Sequence, residues 1–341
     1  MPPPIGRREL IAGLGGLAFG WSIAANAEQP SAQQAAKNKR IAIISTTARV
    51  EDLKRGPYVQ IFEDELKRGG FVEGDNLIIE RYSAEGRSDR YESLAREVVA
   101  SNPDLIYTFG TPMTLKLKDA TSTIPVVTAT GDPIRLGIIS SLAHPGGNIT
   151  GVSVDAGIEV WGKRLALLSQ AVPGLKRVAF VSTQVGWKGP GGRFVERVAP
   201  SLGIELTPVF LASPYTEAEY RRVLGSIQKD QFDGVTFSDE NEHFAFRVLI
   251  AQLIGQARLP AIFNLRDFAD AGGLMSYSWD IKATARRNAQ QIAEILHGAN
   301  PADMPYFQET NFELVVNLKT AKEFGLELPA GLVAGAAAVI E

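Results

Sequence analysis

DLIYTFGTPMTLKLKDATSTIPVVTATGDP, residues 104–133, is the stretch that predicts the fold. Two short apolar runs, Leu105–Phe109 and Pro125–Ala129, are rich in β-branched and aromatic residues and are bounded by turn residues. Runs of this length are typical of strands buried on both faces, as in a parallel sheet covered by helices. Between them, Met113–Ala120 has helical composition and follows a threonine and a proline suited to a helix start. The stretch is therefore a strand–helix–strand unit.

Both predicted strands end in small polar residues. Gly110 and Thr111 follow the first strand, and Thr130, Gly131 and Asp132 follow the second. In open α/β sheets, ligands bind at the carboxyl ends of the strands, where helix N-termini and unpaired backbone N–H groups collect. The two ends are predicted to form one wall of a ligand cleft, although ordinary turns between strand and helix would have the same sequence.

Composition excludes several classes of protein and site. The chain has 341 residues, enough for more than one domain, and a formal net charge of -3, which gives no basic field for nucleic acid. It has no cysteine, which excludes disulfides, thiolate zinc sites and iron–sulfur clusters. His144, His243 and His297 lack the spacing of metal ligands and are expected at the surface or as caps. We expect no metal and no cofactor.

The N-terminus has the features of an export signal over residues 1–27. Arg7 and Arg8 provide the charged region, and Leu10–Ala24 provides a moderately apolar stretch that ends near small residues. The arginine pair resembles a twin-arginine signal, with Sec export as the alternative. The stretch is too short and too rich in glycine and alanine to anchor a helix across about 30 Å of hydrocarbon. We expect a periplasmic protein that is not embedded in the membrane and opens with a polar leader over 28–39.

Strands and helices alternate along the rest of the chain with short links, which is a doubly wound α/β pattern. The pattern begins again after the strand near residue 150. We predict two Rossmann-like lobes with parallel sheets, joined by a hinge and forming a clamp over the cleft. Lobe 1 is predicted to contain residues 40–152 and about 278–310, and lobe 2 to contain residues 153–277 and about 311–341.

Three local predictions concern connections near the strand ends. Ile134–Leu142 is predicted as a short helix, His243–Ala257 as one helix, and Gln184–Gly192 as a long loop. Trp187 within that loop either shapes the pocket or covers the edge of its lobe.

No catalytic motif accompanies the lobes, since G-x-S-x-G, H-E-x-x-H, P-loop and C-x-x-C patterns are missing from the sequence. Acidic residues near the predicted strand ends would suit acid/base catalysis of the glycosidase type, but loop carboxylates more often cap helices or pair with amines. These acidic residues are Asp132, Asp239, Glu240 and Asp280. Aromatic residues near the same ends would stack on an apolar ligand group or fill the lobe cores. They are Tyr58, Phe109, Trp187, Tyr277 and Trp279.

Several segments together resemble the periplasmic components of the ABC transporter substrate-binding family that includes tryptophan-binding members. They are RRELIAGLGG (7–16), GGFVEGDNLIIERYSAEGRSDR (69–90), TFGTPMTLKLKDATSTIPVV (108–127), GDPIRLGIISSLAHPGGNITGVS (131–153), GGLMSY (272–277) and FELVVNLKTAKEFGLELP (312–329). The resemblance implies the type I periplasmic-binding-protein fold. It also implies a non-enzymatic receptor that closes over a small polar solute, such as an amino acid, and delivers it to an inner-membrane permease and its ATPase. We expect it to act as a monomer.

The ligand-facing candidates are the strand-end residues that match the family's pattern. They are Thr46, Thr47, Gly110, Thr111, Thr130 and Asp132 from the first lobe, and Ser182, Thr183, Asp239, Asn241 and Tyr277 from the second. For an amino acid, hydroxyls and backbone amides would hold the carboxylate, and Asp239 or Asp132 would pair with the ammonium group. Asp132 suits a cap of the following turn equally well, because it precedes a proline. There are two alternative functions. One is a ligand-sensing partner of a membrane signalling protein, and the other, less favoured, is a hydrolase that uses carboxylates in the cleft.

Overall fold

The computed structural model describes residues 38–56, 58–154 and 157–341, so the predicted export signal and nearly all of the polar leader lie outside the described residues. The strands are β1 Lys39–Ser45, β2 Leu77–Ser83, β3 Leu105–Phe109, β4 Val126–Thr130, β5 Ile149–Ser153, β6 Arg177–Thr183, β7 Glu205–Leu211, β8 Gly234–Phe237, β9 Ala261–Phe263, β10 Met275–Trp279, β11 Phe307–Gln308, β12 Phe312–Asn317 and β13 Ala338–Ile340. The helices are α1 Val59–Arg68, α2 Tyr91–Ala100, α3 Thr111–Ala120, α4 Glu159–Ala171, α5 Gln184–Lys188, α6 Pro190–Val198, α7 Glu217–Gly225, α8 Asn241–Ala245, α9 Arg247–Ala257, α10 Arg266–Asp270, α11 Ile281–Leu296, α12 Leu318–Phe324 and α13 Ala330–Ala334.

These elements form two α/β lobes, each built on one sheet. The strand order is β11-β5-β4-β3-β1-β2 in the first sheet and β13-β12-β10-β9-β8-β6-β7 in the second. Within the described part of the chain, the neighbouring strands are parallel except for β10 and β12, which are antiparallel. The prediction of two parallel-rich α/β lobes is confirmed, with this one antiparallel pair added.

Helices cover both faces of each sheet and bury its apolar side chains. In the first lobe, α2 and α3 pack on one face, and α1 and α11 pack on the other. In the second lobe, α4, α6, α12 and α13 cover one face, while α7, α9 and α10 cover the other. Strands buried from both sides show continuous apolar runs, which is why the sequence reads as consecutive rather than alternating hydrophobic residues.

Among the described elements, the chain passes between the two sheets three times. It does so between β5 and α4, between β10 and α11, and between β11 and β12. Three connections therefore join the two lobes. The residue boundaries of the two predicted lobes stay a prediction. None of the helices in residues 38–56, 58–154 and 157–341 is both long and apolar enough to cross a membrane.

The stretch 104–133 forms the predicted strand–helix–strand unit. β3 and β4 pair in parallel with Thr108 beside Thr128, and α3 between them has proline in its first turn. The hydroxyl groups of Thr114 in α3 and Thr128 in β4 are 2.7 Å apart in the buried interior. This hydrogen bond satisfies both hydroxyls where water is excluded, and it fixes the helix against the strand.

The predicted helix over Ile134–Leu142 is not formed. A carboxylate oxygen of Asp132 accepts hydrogen bonds from the backbone N–H groups of Ile134 and Arg135, both at 3.0 Å. Gly137 then adopts a φ of +65°, a conformation that a helix cannot continue. The local bonds of Asp132 therefore produce successive turns in place of a helix.

Two further local predictions are wrong. The predicted loop Gln184–Gly192 contains α5 and the beginning of α6, because the Thr183 hydroxyl accepts from the backbone N–H of Gly186 and caps α5. The predicted single helix over His243–Ala257 is two helices, α8 and α9, which are separated at Phe246 by a φ of −106°. Neither change alters the order of the strands.

Candidate ligand-binding cleft

A cavity of about 870 Å³ lies where the carboxyl ends of both sheets meet. The first lobe lines it with the segment after β1, the start of α1 and one face of β1–β3. The second lobe lines it with the residues that follow β8 and β9, and α11 begins beside it. Its volume falls in the range of about 300–1,000 Å³ that is usual for small-molecule sites.

Two tyrosines of the first lobe donate hydrogen bonds to carboxylates of the second lobe. The Tyr58 hydroxyl donates to Oδ2 of Asp267 at 2.5 Å, and the Tyr91 hydroxyl donates to Oε1 of Glu242 at 2.7 Å. Tyr91 and Glu242 are both buried. We call these two contacts the tyrosine–carboxylate bonds; both join the first lobe to the second.

Asn241 makes a third contact between the lobes. Its Nδ2 donates to the backbone carbonyl of Phe109 at 2.8 Å. Gly110 has a φ of +113°, and a Cβ at this position would overlap Nδ2 of Asn241. Glycine at the end of β3 therefore permits both the backbone conformation and the close approach of the second lobe.

Arg164 of α4 reaches the cavity wall from the interior of the second lobe. Its Nη1 donates to Oδ1 of Asp239 at 2.6 Å, and its Nε donates to the carbonyl of Tyr277 at 2.8 Å. Asn264 also donates a hydrogen bond to the Asp239 carboxylate. Burial raises the pKa of Asp239, and the ion pair with Arg164 opposes that rise. The carboxylate is thus fixed in position with part of its surface open to the cavity.

Glu240 is held by a second set of buried groups. Its Oε1 accepts from the Thr183 backbone N–H at 3.0 Å, from the Thr183 hydroxyl at 2.7 Å and from the Ser182 hydroxyl at 3.2 Å. Its Oε2 lies 3.2 Å from Nε2 of His243. The expectation that His243 lies at the surface or acts as a cap is wrong, because its ring is fully buried and its Nδ1 is 3.0 Å from the Tyr220 hydroxyl.

Four of the sequence-predicted site residues line the cavity. They are Thr46, Thr47, Asp239 and Asn241. Thr46 and Thr47 follow β1, whereas Asp239 and Asn241 follow β8, so the structure brings the ends of these two strands from different lobes to one space. Their contact with a ligand stays a prediction.

Three further candidates of the first lobe make structural hydrogen bonds beside the cavity. The Thr111 hydroxyl accepts from the backbone N–H of Gly131 at 3.2 Å, and the Thr130 hydroxyl is 2.7 Å from the Tyr306 hydroxyl. Asp132 caps the turn that follows it, the alternative that the proline already suggested. None of these three residues lines the cavity as the described part of the chain forms it, and their contact with a ligand stays a prediction.

The remaining candidates lie around the polar groups of the second lobe. Ser182 and Thr183 hold Glu240, and Thr183 also caps α5. Tyr277 packs against the second-lobe core and offers its carbonyl to Arg164. Gly110 lies under Asn241. These residues support lining residues, and direct ligand contact by them stays a prediction.

Aromatic side chains from both lobes line the cavity. Tyr58, Phe109 and Trp279 were expected near strand ends and do line it. Further aromatic residues in the lining were not singled out from sequence: Phe62, Tyr107, Tyr215, Phe244 and Phe246. Trp187 instead packs on Phe180, with ring centroids 5.4 Å apart, in the core of the second lobe. The cavity therefore offers several aromatic surfaces for stacking.

Four of the polar residues described above were not predicted from the sequence: Asn264, Arg164, Glu242 and Asp267. Asn264 follows β9, which is only three residues long and gives a weak strand signal. Arg164 and Glu242 lie within helices, where a charged residue reads as solvent-exposed. The signal that could have found Asn264 is its place at a strand end next to that of Asp239, since β8 and β9 are neighbours in the sheet.

Comparison with known proteins places this architecture in a family. Residues 41–340 match the family model described as ABC transporter substrate binding protein. The tyrosine-binding protein of Clostridioides difficile strain R20291 is 23% identical over 309 residues, which are 90% of this chain and 86% of that protein.

Two solved structures have the same fold. A conserved domain protein of Vibrio cholerae O1 biovar El Tor has a TM-score of 0.74 at 24% identity, over 89% of this chain and 100% of that chain. The ABC domain from Streptococcus pneumonia in complex with L-Trp has a TM-score of 0.70 at 20% identity, over the same shares of the two chains. The family model covers nearly the whole described chain, and we conclude that this protein belongs to the ABC transporter substrate-binding proteins, a family of binding proteins and not of enzymes, as the sequence predicted.

Proposed function

We propose that this protein is the exported receptor of an ABC importer and that it closes its two lobes over an amino acid with an aromatic side chain. The observation that carries the proposal is the cavity of about 870 Å³. It combines aromatic rings with carboxylates at the strand ends of both lobes. An amino acid has the two matching parts, an apolar side chain and a charged head group.

The aromatic lining supports the choice of side chain. Phe62 and Tyr107 stack with ring centroids 5.1 Å apart, and Tyr58 and Phe244 stack with centroids 6.1 Å apart across the cleft. A planar ligand ring finds stacking and edge contacts with such groups, worth about 0.5–1.5 kcal/mol each beyond the burial of area. The names of two similar proteins, one binding tyrosine and one solved with L-Trp, agree with this choice.

The remaining parts of the proposal follow from the family and from the N-terminus. Delivery to a permease and its ATPase in the inner membrane is what a substrate-binding protein of an ABC importer does. The signal-like residues 1–27 support export to the periplasm, by the twin-arginine or the Sec route. We propose a monomer, since a single chain supplies both walls of the cavity.

A thermal-shift screen followed by calorimetry tests the ligand class. The purified protein is titrated with L-tryptophan, L-tyrosine and L-phenylalanine, and with L-leucine, L-glutamate, ribose and glucose as comparison solutes. At a hundredfold excess over Kd, a ligand of the folded state adds about 2.7 kcal/mol of stability, which raises the Tm by about 5 °C. We expect this shift with at least one aromatic amino acid. A shift with a sugar and none with any amino acid would overturn the proposal.

A further inference from the structure

Three neighbouring strands of the second lobe end at the cavity with polar side chains. Asp239 follows β8, Asn264 follows β9, and Trp279 is the last residue of β10. The three strands are adjacent in the sheet, in the order β10-β9-β8. Parallel strands end at the same edge, so these side chains form one continuous polar patch on the cavity wall.

Two of these side chains have a buried polar atom without a hydrogen-bond partner among the described residues. They are Oδ1 of Asn264 and Nε1 of Trp279. The Asn264 side chain is held in place because it donates to Asp239, which in turn pairs with Arg164. Asn264 is only 3% exposed. An acceptor buried this deeply without a partner costs free energy, and at the wall of a cavity a ligand that donates a hydrogen bond would remove that cost.

The charge of the patch favours a cationic partner. Beside Asn264 stand Asp239 and Glu240, and both line the cavity. Among the described residues, Arg164 is the one cation bonded to the Asp239 carboxylate, and it is buried and reaches the carboxylate from the interior. A neutral hydroxyl would fill the acceptor of Asn264 but would not offset the net negative charge that remains on the two carboxylates beside one guanidinium, whereas an ammonium group does both.

We propose that Asn264 Oδ1 and the Asp239 carboxylate together bind the ammonium group of the ligand, and that Asn264 is a specificity-determining residue of the cleft. This rests on the proposed function, in which the ligand is an amino acid. Asn264 accepts one ammonium hydrogen, and Asp239 supplies the opposite charge. The indole N–H of Trp279 is the donor on the same patch, and it suits the carboxylate of the same head group.

The test compares ligands that differ only in the ammonium group. Isothermal titration measures Kd for L-tryptophan and for indole-3-propanoate, which lacks the ammonium group, with the wild-type protein and with Asn264→Ala. Ser276→Ala is the matched control, because the Ser276 hydroxyl is also buried and unpartnered but does not line the cavity. If L-tyrosine or L-phenylalanine binds more tightly, that amino acid and its own deaminated analogue replace the tryptophan pair.

We expect Asn264→Ala to weaken binding of the amino acid about tenfold or more and to leave binding of the analogue within twofold. Ser276→Ala should leave both unchanged. An equal loss for both ligands would overturn the subsite while leaving the proposed receptor intact. Failure of the wild-type protein to bind any aromatic amino acid would instead overturn the proposed function.

A crystal structure of the wild-type complex tests the same contact without a variant. The proposal requires the ligand nitrogen to lie within about 3.2 Å of Asn264 Oδ1. A ligand whose ammonium group points to the first lobe would contradict it, whatever the affinities show. This measurement decides the matter even when the deaminated analogue binds too weakly to titrate.

Discussion

The carboxylates that border the cavity differ between the two lobes. Asp52 and Glu63 of the first lobe have side chains that are 55% and 39% exposed, and their ion partners lie 3.6–4.0 Å away. Asp239 and Glu240 of the second lobe have side chains that are 26% and 17% exposed, and they accept hydrogen bonds at 2.6 Å and 2.7 Å. Asp239 and Glu240 are therefore fixed by buried donors at short distances, whereas Asp52, Glu63 and the exposed second-lobe Glu217 are not.

This difference indicates that the two lobes have different roles in ligand recognition. Exposed carboxylates are screened by water and salt, so they contribute little to selectivity. A buried carboxylate with fixed donors keeps its strength and direction, and it is costly when it lacks a partner. We infer that the second lobe recognises the polar head group, while the first lobe provides tyrosine hydroxyls that close the cleft and aromatic surface for the side chain.

The largest effect is expected from Asp239→Ala. The substitution leaves the guanidinium of Arg164, which is 1% exposed, without its counter-charge. Removing one partner of a buried ion pair lowers the free energy of unfolding strongly, here by about 3 kcal/mol, because an uncompensated charge remains. Urea unfolding of the purified protein measures this loss.

The matched control for that prediction removes both charges. Arg164→Met with Asp239→Leu replaces the pair by apolar groups, which recovers most of the lost stability but cannot bind an ammonium group. Ligand affinity should therefore stay low in the double variant while stability returns. Wild-type stability of Asp239→Ala alone would show that the carboxylate faces the cavity without supporting Arg164.

The next effect is expected from Tyr91→Phe, which removes one of the tyrosine–carboxylate bonds. The buried Glu242 then loses a donor from the opposite lobe, so closing becomes less favourable and the ligand Kd rises about tenfold. The matched control is Tyr82→Phe, since the Tyr82 hydroxyl donates to Glu80 within the first lobe. Calorimetry gives the affinities, and small-angle scattering reports whether the liganded protein still closes.

A result of equal losses for Tyr91→Phe and Tyr82→Phe would contradict this role, because only one of the two hydrogen bonds joins the lobes. The loss of stability in Tyr91→Phe should also be larger with ligand bound than without it. In Tyr91→Phe, the free energy of unfolding of the ligand-free protein is expected to change by less than the free energy of ligand binding does. The reason is that the Tyr91–Glu242 bond stabilises the closed cleft.

A smaller effect is expected from pH through Glu242. Burial between the lobes raises the pKa of its carboxyl, and the Tyr91 hydrogen bond only partly opposes this. Opening the cleft would return the pKa to about 4.3, the usual value for glutamate. Between that value and the raised pKa, the closed form binds a proton that the open form lacks. Ligand affinity should therefore rise as pH falls through this window, by at most tenfold per pH unit.

Calorimetry in two buffers of different ionisation enthalpy measures the proton uptake. Glu242→Gln should bind ligand with less pH dependence and without that uptake. The other titratable groups that act on Glu242 keep the same residues in this variant, and they are Tyr91, Tyr215, Tyr220, Glu240 and His243. An unchanged pH profile in Glu242→Gln would contradict the assignment of the proton uptake to Glu242.

Much of the fold was predictable because burial leaves a local pattern. The apolar runs of β3 and β4 and the cap of α7 at Thr216 are readable in a few consecutive residues. For the same reason, strand ends could be proposed as the site, and Thr46 and Asp239 do line the cavity.

The rest of the site depends on which distant residues meet. Tyr91 and Glu242 are 151 positions apart, and no local pattern states that one lobe will present a hydroxyl to the other lobe's carboxylate. The burial of Arg164 is likewise invisible, since an arginine in a helix is usually solvated and only its two bonds here explain its position. Sequence showed where a site would lie but not which groups are fixed there.

The smallest effect on binding is expected from Trp187→Phe. This substitution tests whether the core of the second lobe, as distinct from its cavity wall, affects ligand affinity. Trp187 packs on Phe180 and does not line the cavity, so its replacement removes packing and should lower the free energy of unfolding by about 1 kcal/mol. Its effect on Kd should stay within twofold.

Trp279→Phe is the same substitution at the cavity wall, where the indole N–H has no partner among the described residues. If the second lobe recognises the head group through fixed polar atoms, titration should find the weaker ligand binding in Trp279→Phe. The reverse order would mean that the core of this lobe, and not its polar wall, sets the affinity.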